Sequence, residues 1–157
     1  MTPEELKLFK EEKPKYKIKA TGEVVDLDWL EKIVSTYQER LKKLSEITEL
    51  TDFFFKDKLK YEKELLKWGE MTDKEIPAIL DKLDKILSKI KDGEWTKDNL
   101  ENVLMPEAEK TGDRGKLLWP LRVALTGKQA SAGPFEVAEI LGKEKTIKRI
   151  GEAKKLF

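Results

Sequence analysis

"TDKEIPAILDKLDKILSKIKDG", residues 72–93, decides the fold class. Thr72 stands three residues ahead of Glu75, the spacing of a capping box, in which two side chains satisfy the open N–H groups at a helix start. Behind it Ile76, Ile79, Leu80, Leu83, Ile86, Leu87 and Ile90 recur at steps of three and four. That spacing puts them all on one face of a 3.6-residue helix, with lysines and aspartates on the other, and predicts a helix that stops before Gly93.

The same punctuation repeats in both directions. Downstream, Thr96 caps a predicted helix that runs toward Gly112 with a bend at Pro106. Leu117, Leu118, Leu121, Ala124 and Leu125 predict a helix closed by Gly127, and Pro134 starts another that ends at Gly142. Ile147, Ile150, Ala153 and Leu156 mark the last. Upstream, Leu27, Leu30, Ile33, Val34, Tyr37, Leu41 and Leu44 predict one long amphipathic helix from Asp26 onward. "ELTDFFFKDKLKYEKELLKW", residues 49–68, predicts a second helical stretch ending at Gly69. Thr2, Pro3, Glu4 and Glu5 read as the start of a short helix, and "TGEVVD", residues 21–26, as a turn and a short extended segment. The expected class is all-α, two packed helical bundle subdomains. Residues 1–70 form the first, with an N-terminal lead-in, and residues 71–157 the second.

Composition narrows the chemistry. The 157 residues are 39% hydrophobic and 40% charged, enough for one domain or two small subdomains. No apolar run approaches a membrane span, and the opening "MTPEELKLFKEEKPKYK" is charged rather than targeting, so a cytoplasmic protein is expected. There is no cysteine, which removes disulfides and thiolate metal sites, and no histidine. Without either, no Ser/His or Cys/His nucleophilic pair and no ordinary zinc site can form, so neither a catalytic residue nor a metal is expected. The net charge of +1 hides an asymmetry: residues 110–157 hold eleven Lys or Arg against five Asp or Glu, a balance of +6. A basic end points to a polyanion or, equally, to a solvated lysine-rich surface.

The chemistry-bearing motifs are few. "ALTGK", residues 124–128, ends like a phosphate loop, but no glycine lies five residues before Gly127 and Gln129 follows Lys128. Gly127 reads instead as a helix C-cap. Thr51–Phe55, "TDFFF", is either an aromatic surface for bases or a bundle core, and three adjacent aromatics favour core. The carboxylates lie among lysines, where pairing one helical turn apart accounts for them.

Residues 112–135, "GDRGKLLWPLRVALTGKQASAGPF", break the pattern. Arg122 sits between Leu121 and Val123 on a helix that is apolar on most sides, two residues after Pro120. It either reaches to water or to an acid within the fold, or it presents a planar fork of donors to something outside. Gly127 and Gly133 then frame a loop containing Ser131 ahead of Pro134, a junction that offers a hydroxyl and open backbone N–H groups.

"LWPLRVALTGKQASAGPFEVAEILGKEKTIKRI", residues 118–150, closely resembles the C-terminal signature of bacterial glutamyl-tRNA synthetases, with Gly142, Lys143, Glu144 and Arg149 matching its last element. "WTKDNLENVLMPEAEKTGDRGKL" resembles the helical lead-in of the same domain, and "ERLKKLSEITELTDFFF" its first helical subdomain. The resemblance implies a helical anticodon-binding region whose partner is the anticodon loop of tRNA(Glu), acting as a monomer. By it, Arg122 contacts the last anticodon position, Ser131 stands beside the middle base, and Ala132, Pro134 and Phe135 complete that wall. The family usually has proline where this chain has Ala132. Arg40 is placed to meet the first anticodon base, and Lys116, Lys128 and Lys143 to neighbour phosphates. The family activates glutamate in an N-terminal class I Rossmann domain bearing HIGH-like and KMSKS-like motifs. This sequence shows neither, so it is expected not to be an enzyme by itself and to need no cofactor, ATP and magnesium being expected for the full-length ligase. A helical protein-interaction module without an RNA ligand is the other class open to such a chain.

Overall fold

The computed structural model describes residues 15–157, so the short helix read into Thr2–Glu5 lies outside the described residues. The chain divides into two compact units, one ending at Asp57 and the other spanning Lys58–Phe157. The expected division at 70/71 thus falls inside the second unit, because residues 59–68 pack there. Leu66 is fully buried, and Trp119 Nε1 donates to Leu65 O at 2.8 Å.

In the first unit, β1 (Lys15–Lys17) pairs antiparallel with β2 (Val24–Asp26), Tyr16 opposite Val25. The turn between them passes through Gly22 at φ +75°, a backbone conformation that favours glycine. α1 (Leu27–Tyr37) starts where the Asp26 carboxylate accepts from Trp29 N at 2.9 Å, an N-cap.

The long helix expected through Leu44 stops at Tyr37 and gives way to a 3-10 turn, Gln38–Arg40, and an extended Leu41. The burial explains the stop. Of the predicted stripe only Ile33 and Tyr37 are buried, whereas Leu27, Val34 and Leu44 are 49%, 46% and 84% exposed. The Glu46 carboxylate meanwhile accepts from Lys42 N and Lys43 N at 3.0 and 3.3 Å, offering the backbone partners a helix would not supply.

The helix expected over residues 49–68 is also replaced. α2 (Ile47–Thr51) runs into a 3-10 turn, Asp52–Phe55, after which Lys56 is extended. Phe53 and Phe54 are both buried, and the Phe54 and Phe55 rings meet Tyr37 and Trp29 edge-on at 6.5 and 5.5 Å, so the aromatic run is core. Beyond it Lys58, Lys60, Glu62 and Glu64 are exposed while Leu59, Tyr61, Lys63 and Leu65 are half-buried. That period of two suits extended chain as far as Glu62, after which Lys63–Leu66 form a 3-10 turn rather than a continued α-helix.

The second unit follows the predicted punctuation closely. Its helices are α3 (Glu75–Ser88), α4 (Lys97–Glu109), α5 (Gly115–Thr126), α6 (Pro134–Leu141) and α7 (Lys143–Lys154). The Thr96 hydroxyl accepts from Asn99 N at 3.2 Å, Gly127 closes α5 at φ +67°, and Pro134 is the first residue of α6. At the head of α3 half a capping box forms. The Glu75 carboxylate accepts from Thr72 N at 2.7 Å, but the Thr72 hydroxyl also donates to it at 3.0 Å instead of accepting.

The stripe of α3 packs along α7 and α5, and Leu80, Leu83, Leu87, Leu117, Leu121 and Ile150 are fully buried there. Each such side chain contributes about 1.5–3 kcal/mol. Lys154 of α7 also pairs with Asp81 and Asp84 of α3 at 3.0 and 2.8 Å, but exposed pairs contribute about 0–1 kcal/mol, so apolar burial holds the two helices together.

One ion cluster has a measurable consequence. Glu107 of α4 accepts from Lys110 at 2.7 Å and is paired with Lys82 of α3 at 2.8 Å, and these bonds lower its pKa from 4.5 to about 2. A depressed folded-state pKa means the contribution is fully present above about pH 4.5 and is lost as the pH falls toward about 2. Melting temperature measured down that range is therefore expected to fall less steeply for Glu107→Gln than for the unsubstituted protein. Parallel curves would show that the cluster does not couple to folding.

Candidate nucleic-acid interface

The candidate site is built on α5 and the loop that follows it. The Asp113 carboxylate starts the helix by accepting from Gly115 N at 2.9 Å and from Trp68 Nε1 at 2.8 Å, and both bonds hold its pKa below the usual carboxylate range, the Trp68 bond foremost. Along α5, Leu117, Pro120, Leu121, Val123, Ala124, Leu125 and Thr126 are buried. The half-buried residues Lys116, Leu118, Trp119 and Arg122 fall within one half of the helix at 100° per residue, a half they share with the buried Val123 and Thr126.

Arg122 is the informative member of that face. It is half-buried, yet among the described residues its guanidinium makes no hydrogen bond or ion pair. The reading in which it pairs with an acid of the fold therefore fails within residues 15–157. What remains is a guanidinium that either reaches to water or presents its planar donor fork to something outside.

The loop is tied to the same helix. The Thr126 hydroxyl donates to Arg122 O at 2.8 Å and accepts from Lys128 N at 3.1 Å. The chain then turns through Gly127, where an added Cβ would lie 3.2 Å from Tyr61 Cδ1. Ser131 is only 8% exposed and its hydroxyl donates to Ala132 O at 2.8 Å, so the hydroxyl expected to face a ligand is turned into the fold. Ala132, Pro134 and Phe135 are buried as well. The solvent-exposed positions of the loop are Gln129 and Ala130, which the sequence reading passed over. The only sequence signal for Gln129 was an amide side chain in a glycine-flanked loop.

The expected basic residues divide. Lys116 lies on the Arg122 side of α5, close enough to lower the carboxyl pKa values of Glu75 and Asp113, although it is a lesser cause than their hydrogen bonds. Lys128 follows Gly127 directly in the loop. Lys143 spends a donor on Ile90 O at 2.6 Å, tying the start of α7 to the end of α3, which gives it a structural duty the sequence did not show. Arg40 is exposed at the end of the 3-10 turn of the first unit. Among the described residues no group of acidic side chains could hold a metal ion, and no helix is long and apolar enough to cross a membrane.

Comparison with known proteins bears on this face. The model of the anticodon binding domain family matches residues 5–154. The glutamate–tRNA ligase of Bacillus subtilis is 33% identical over 124 residues, covering 78% of this chain and 25% of that protein. That of Clostridium acetobutylicum is 39% identical over 134 residues, 83% and 26% of the two chains. That of Thermodesulfovibrio yellowstonii is 32% identical over 155 residues, 96% and 32%. The chain thus spans a quarter to a third of the length of these curated relatives. A crystal structure of a glutamate tRNA ligase from Elizabethkingia meningosepticum in complex with its amino acid superposes with a TM-score of 0.70 at 24% identity, over 83% of this chain and 25% of the other, and shows the same fold.

Proposed function

Because this chain belongs to the anticodon binding domain family, we propose that it recognises the anticodon loop of tRNA(Glu) as the C-terminal region of a glutamate–tRNA ligase. The observation that carries the reading is Arg122, a half-buried residue whose guanidinium makes no hydrogen bond or ion pair among the described residues. Anticodon bases are unstacked, so their edges expose carbonyl oxygens and ring nitrogens to side chains. A guanidinium meets such an edge with two parallel donors, which suits the last anticodon base. Lys116 and Lys128 supply charge to the neighbouring phosphates, which sets position rather than sequence.

The middle base falls to the loop. With the Ser131 hydroxyl bonded inward to Ala132 O, Ser131 contributes by shaping the loop, and the backbone from Ala132 to Phe135 with the exposed Gln129 offers the contacts. Activation of glutamate with ATP and magnesium is assigned to a part of the ligase other than these residues. Arg40 of the first unit is assigned to the first anticodon base.

Electrophoretic mobility shift tests the reading. The protein is expected to retard tRNA(Glu) in preference to an unrelated tRNA. The logarithm of its affinity should fall with the logarithm of salt at a slope of about 0.7–0.9 per phosphate contact. Equal retardation of both tRNAs, or an affinity indifferent to salt, would reject it.

A further inference from the structure

We infer that Arg149 is a positioning residue for the anticodon site, holding the last turn of α5 and the Gly127–Gly133 loop in place through the Leu125 carbonyl; this rests on the anticodon reading above.

Arg149 lies on α7 and is 1% exposed, among the largest fully buried side chains among the described residues. Its Nη1 donates to Leu125 O at 2.5 Å. Leu125 is the second-last residue of α5, and the last four carbonyls of a helix have no partner within it. Val123 O is met by Gly127 N at 2.7 Å, from the turn itself, whereas Leu125 O is met from another helix. The two ties close the turn from which the loop departs. The Thr126 hydroxyl, between them, carries that fixity onward to Lys128 N and back to Arg122 O.

Stability alone does not account for a guanidinium here. Taking it out of water is costly, and apolar residues of similar volume at such positions are often neutral or better. The negative end of the α5 dipole offsets part of that cost, because a cation at a helix C-terminus is favoured. What an apolar side chain could not do is hold a carbonyl at a fixed place.

Beside Arg149 is a cavity of about 500 Å³ lined by Leu59, Tyr61, Ala124, Glu152 and Leu156. Burial, with the nearby Glu152, pushes the Tyr61 hydroxyl up to about 12, the charge of Arg149 opposing, so Tyr61 is neutral and the carboxylates lining the same cavity are those of Glu62 and Glu152. Ala124 and Arg122 stand two residues apart, about 200° around the helix, so Ala124 turns to the cavity and away from Arg122, whereas Leu125, three residues on from Arg122, stands within about 60° of it. Arg149 touches no base and works through the backbone.

The test pairs Arg149→Met, which keeps an unbranched stem but removes every donor, with Arg149→Lys, which keeps the charge on a shorter point donor. For Arg149→Met, with cooperative melting retained, amide exchange over residues 128–133 is expected to rise about tenfold relative to α3. Discrimination between tRNA(Glu) and transcripts changed in the anticodon should fall by about the same factor, while affinity for an unrelated tRNA stays unchanged. Arg149→Lys should fall between. A folded Arg149→Met with unchanged loop exchange and unchanged discrimination overturns the inference. Should Arg149→Met fail to fold, Arg149→Lys decides, and wild-type loop exchange with wild-type discrimination in it overturns the inference equally. If the unsubstituted protein does not discriminate anticodons, the anticodon reading fails on its own, and the exchange measurement still tests the tie between Arg149 and the loop.

Discussion

Arg122→Lys is expected to melt like the unsubstituted protein and to bind tRNA(Glu) with selectivity lost at the last anticodon position. The melting half follows from the fold. With no hydrogen bond or ion pair to the guanidinium among the described residues, truncation leaves no buried partner stranded, and the change in stability should stay within about 0.5 kcal/mol. The selectivity half follows from donor geometry. Lysine keeps the positive charge but offers a point donor where arginine offers a planar fork, so a phosphate contact survives the exchange and a paired contact to a base edge does not. The loss expected against the correct base is about 1–3 kcal/mol, a factor of roughly five to 150. Arg122→Ala should show the same loss of selectivity with some further loss of overall affinity. The measurement uses tRNA(Glu) transcripts altered only at the last anticodon base, with melting followed in parallel. Retained discrimination in Arg122→Lys would assign Arg122 to a phosphate, and a large drop in melting temperature would assign it to the fold.

The two units differ in how far their residues announce them, and the reason lies in what closes each element. In the second unit the stops are chemical: Thr96 accepts from Asn99 N, Gly127 takes a left-handed conformation, and Pro134 occupies the first turn of α6. Such signals act within a few residues and can be read from type and spacing alone. In the first unit the stop after Tyr37 combines local bonds from Lys42 N and Lys43 N to Glu46 with the end of the buried surface. Leu41 and Leu44 continue the helical spacing of α1, yet Leu44 is exposed, and no local residue reveals that the buried surface ends at Tyr37. Residues 58–62 carry a legible alternation of charged Lys58, Lys60 and Glu62 with half-buried Leu59 and Tyr61, overshadowed by the high helix propensity of the surrounding lysines and glutamates.

The candidate site shows the same division at finer scale. Arg122 could be singled out because a charge between Leu121 and Val123 conflicts with its helix. Ser131 pointed the other way: a small hydroxyl in a glycine-framed loop suits a ligand or a local bond equally, and the bond to Ala132 O is decided by a rotamer. The tie from Arg149 to Leu125 O spans two helices and has no local trace.

Gly115→Ala is expected to destabilise the second unit by about 1–3 kcal/mol, although alanine is the better helix former. Gly115 is the first residue of α5, so the backbone accepts alanine without strain. The obstacle is space: an added Cβ would lie 2.2 Å from both Cε2 and Nε1 of Trp68. The indole cannot give way cheaply, because its Nε1 donates to Asp113 Oδ2 at 2.8 Å and its ring rests against Trp119 at 5.3 Å. Moving it breaks that bond and opens the pair, while Asp113 loses one of the two donors that seat it at the head of the helix bearing Lys116 and Arg122. If the overlap is the whole cause, its removal reverses the sign. In a Trp68→Ala background the same Gly115→Ala substitution is expected to be neutral or stabilising by up to about 1 kcal/mol, the ordinary gain from reduced freedom of the unfolded chain. Denaturant melts of the four proteins in this cycle give the coupling directly. Equal destabilisation by Gly115→Ala in both backgrounds would mean that glycine is required here for a reason other than the tryptophan lying across it.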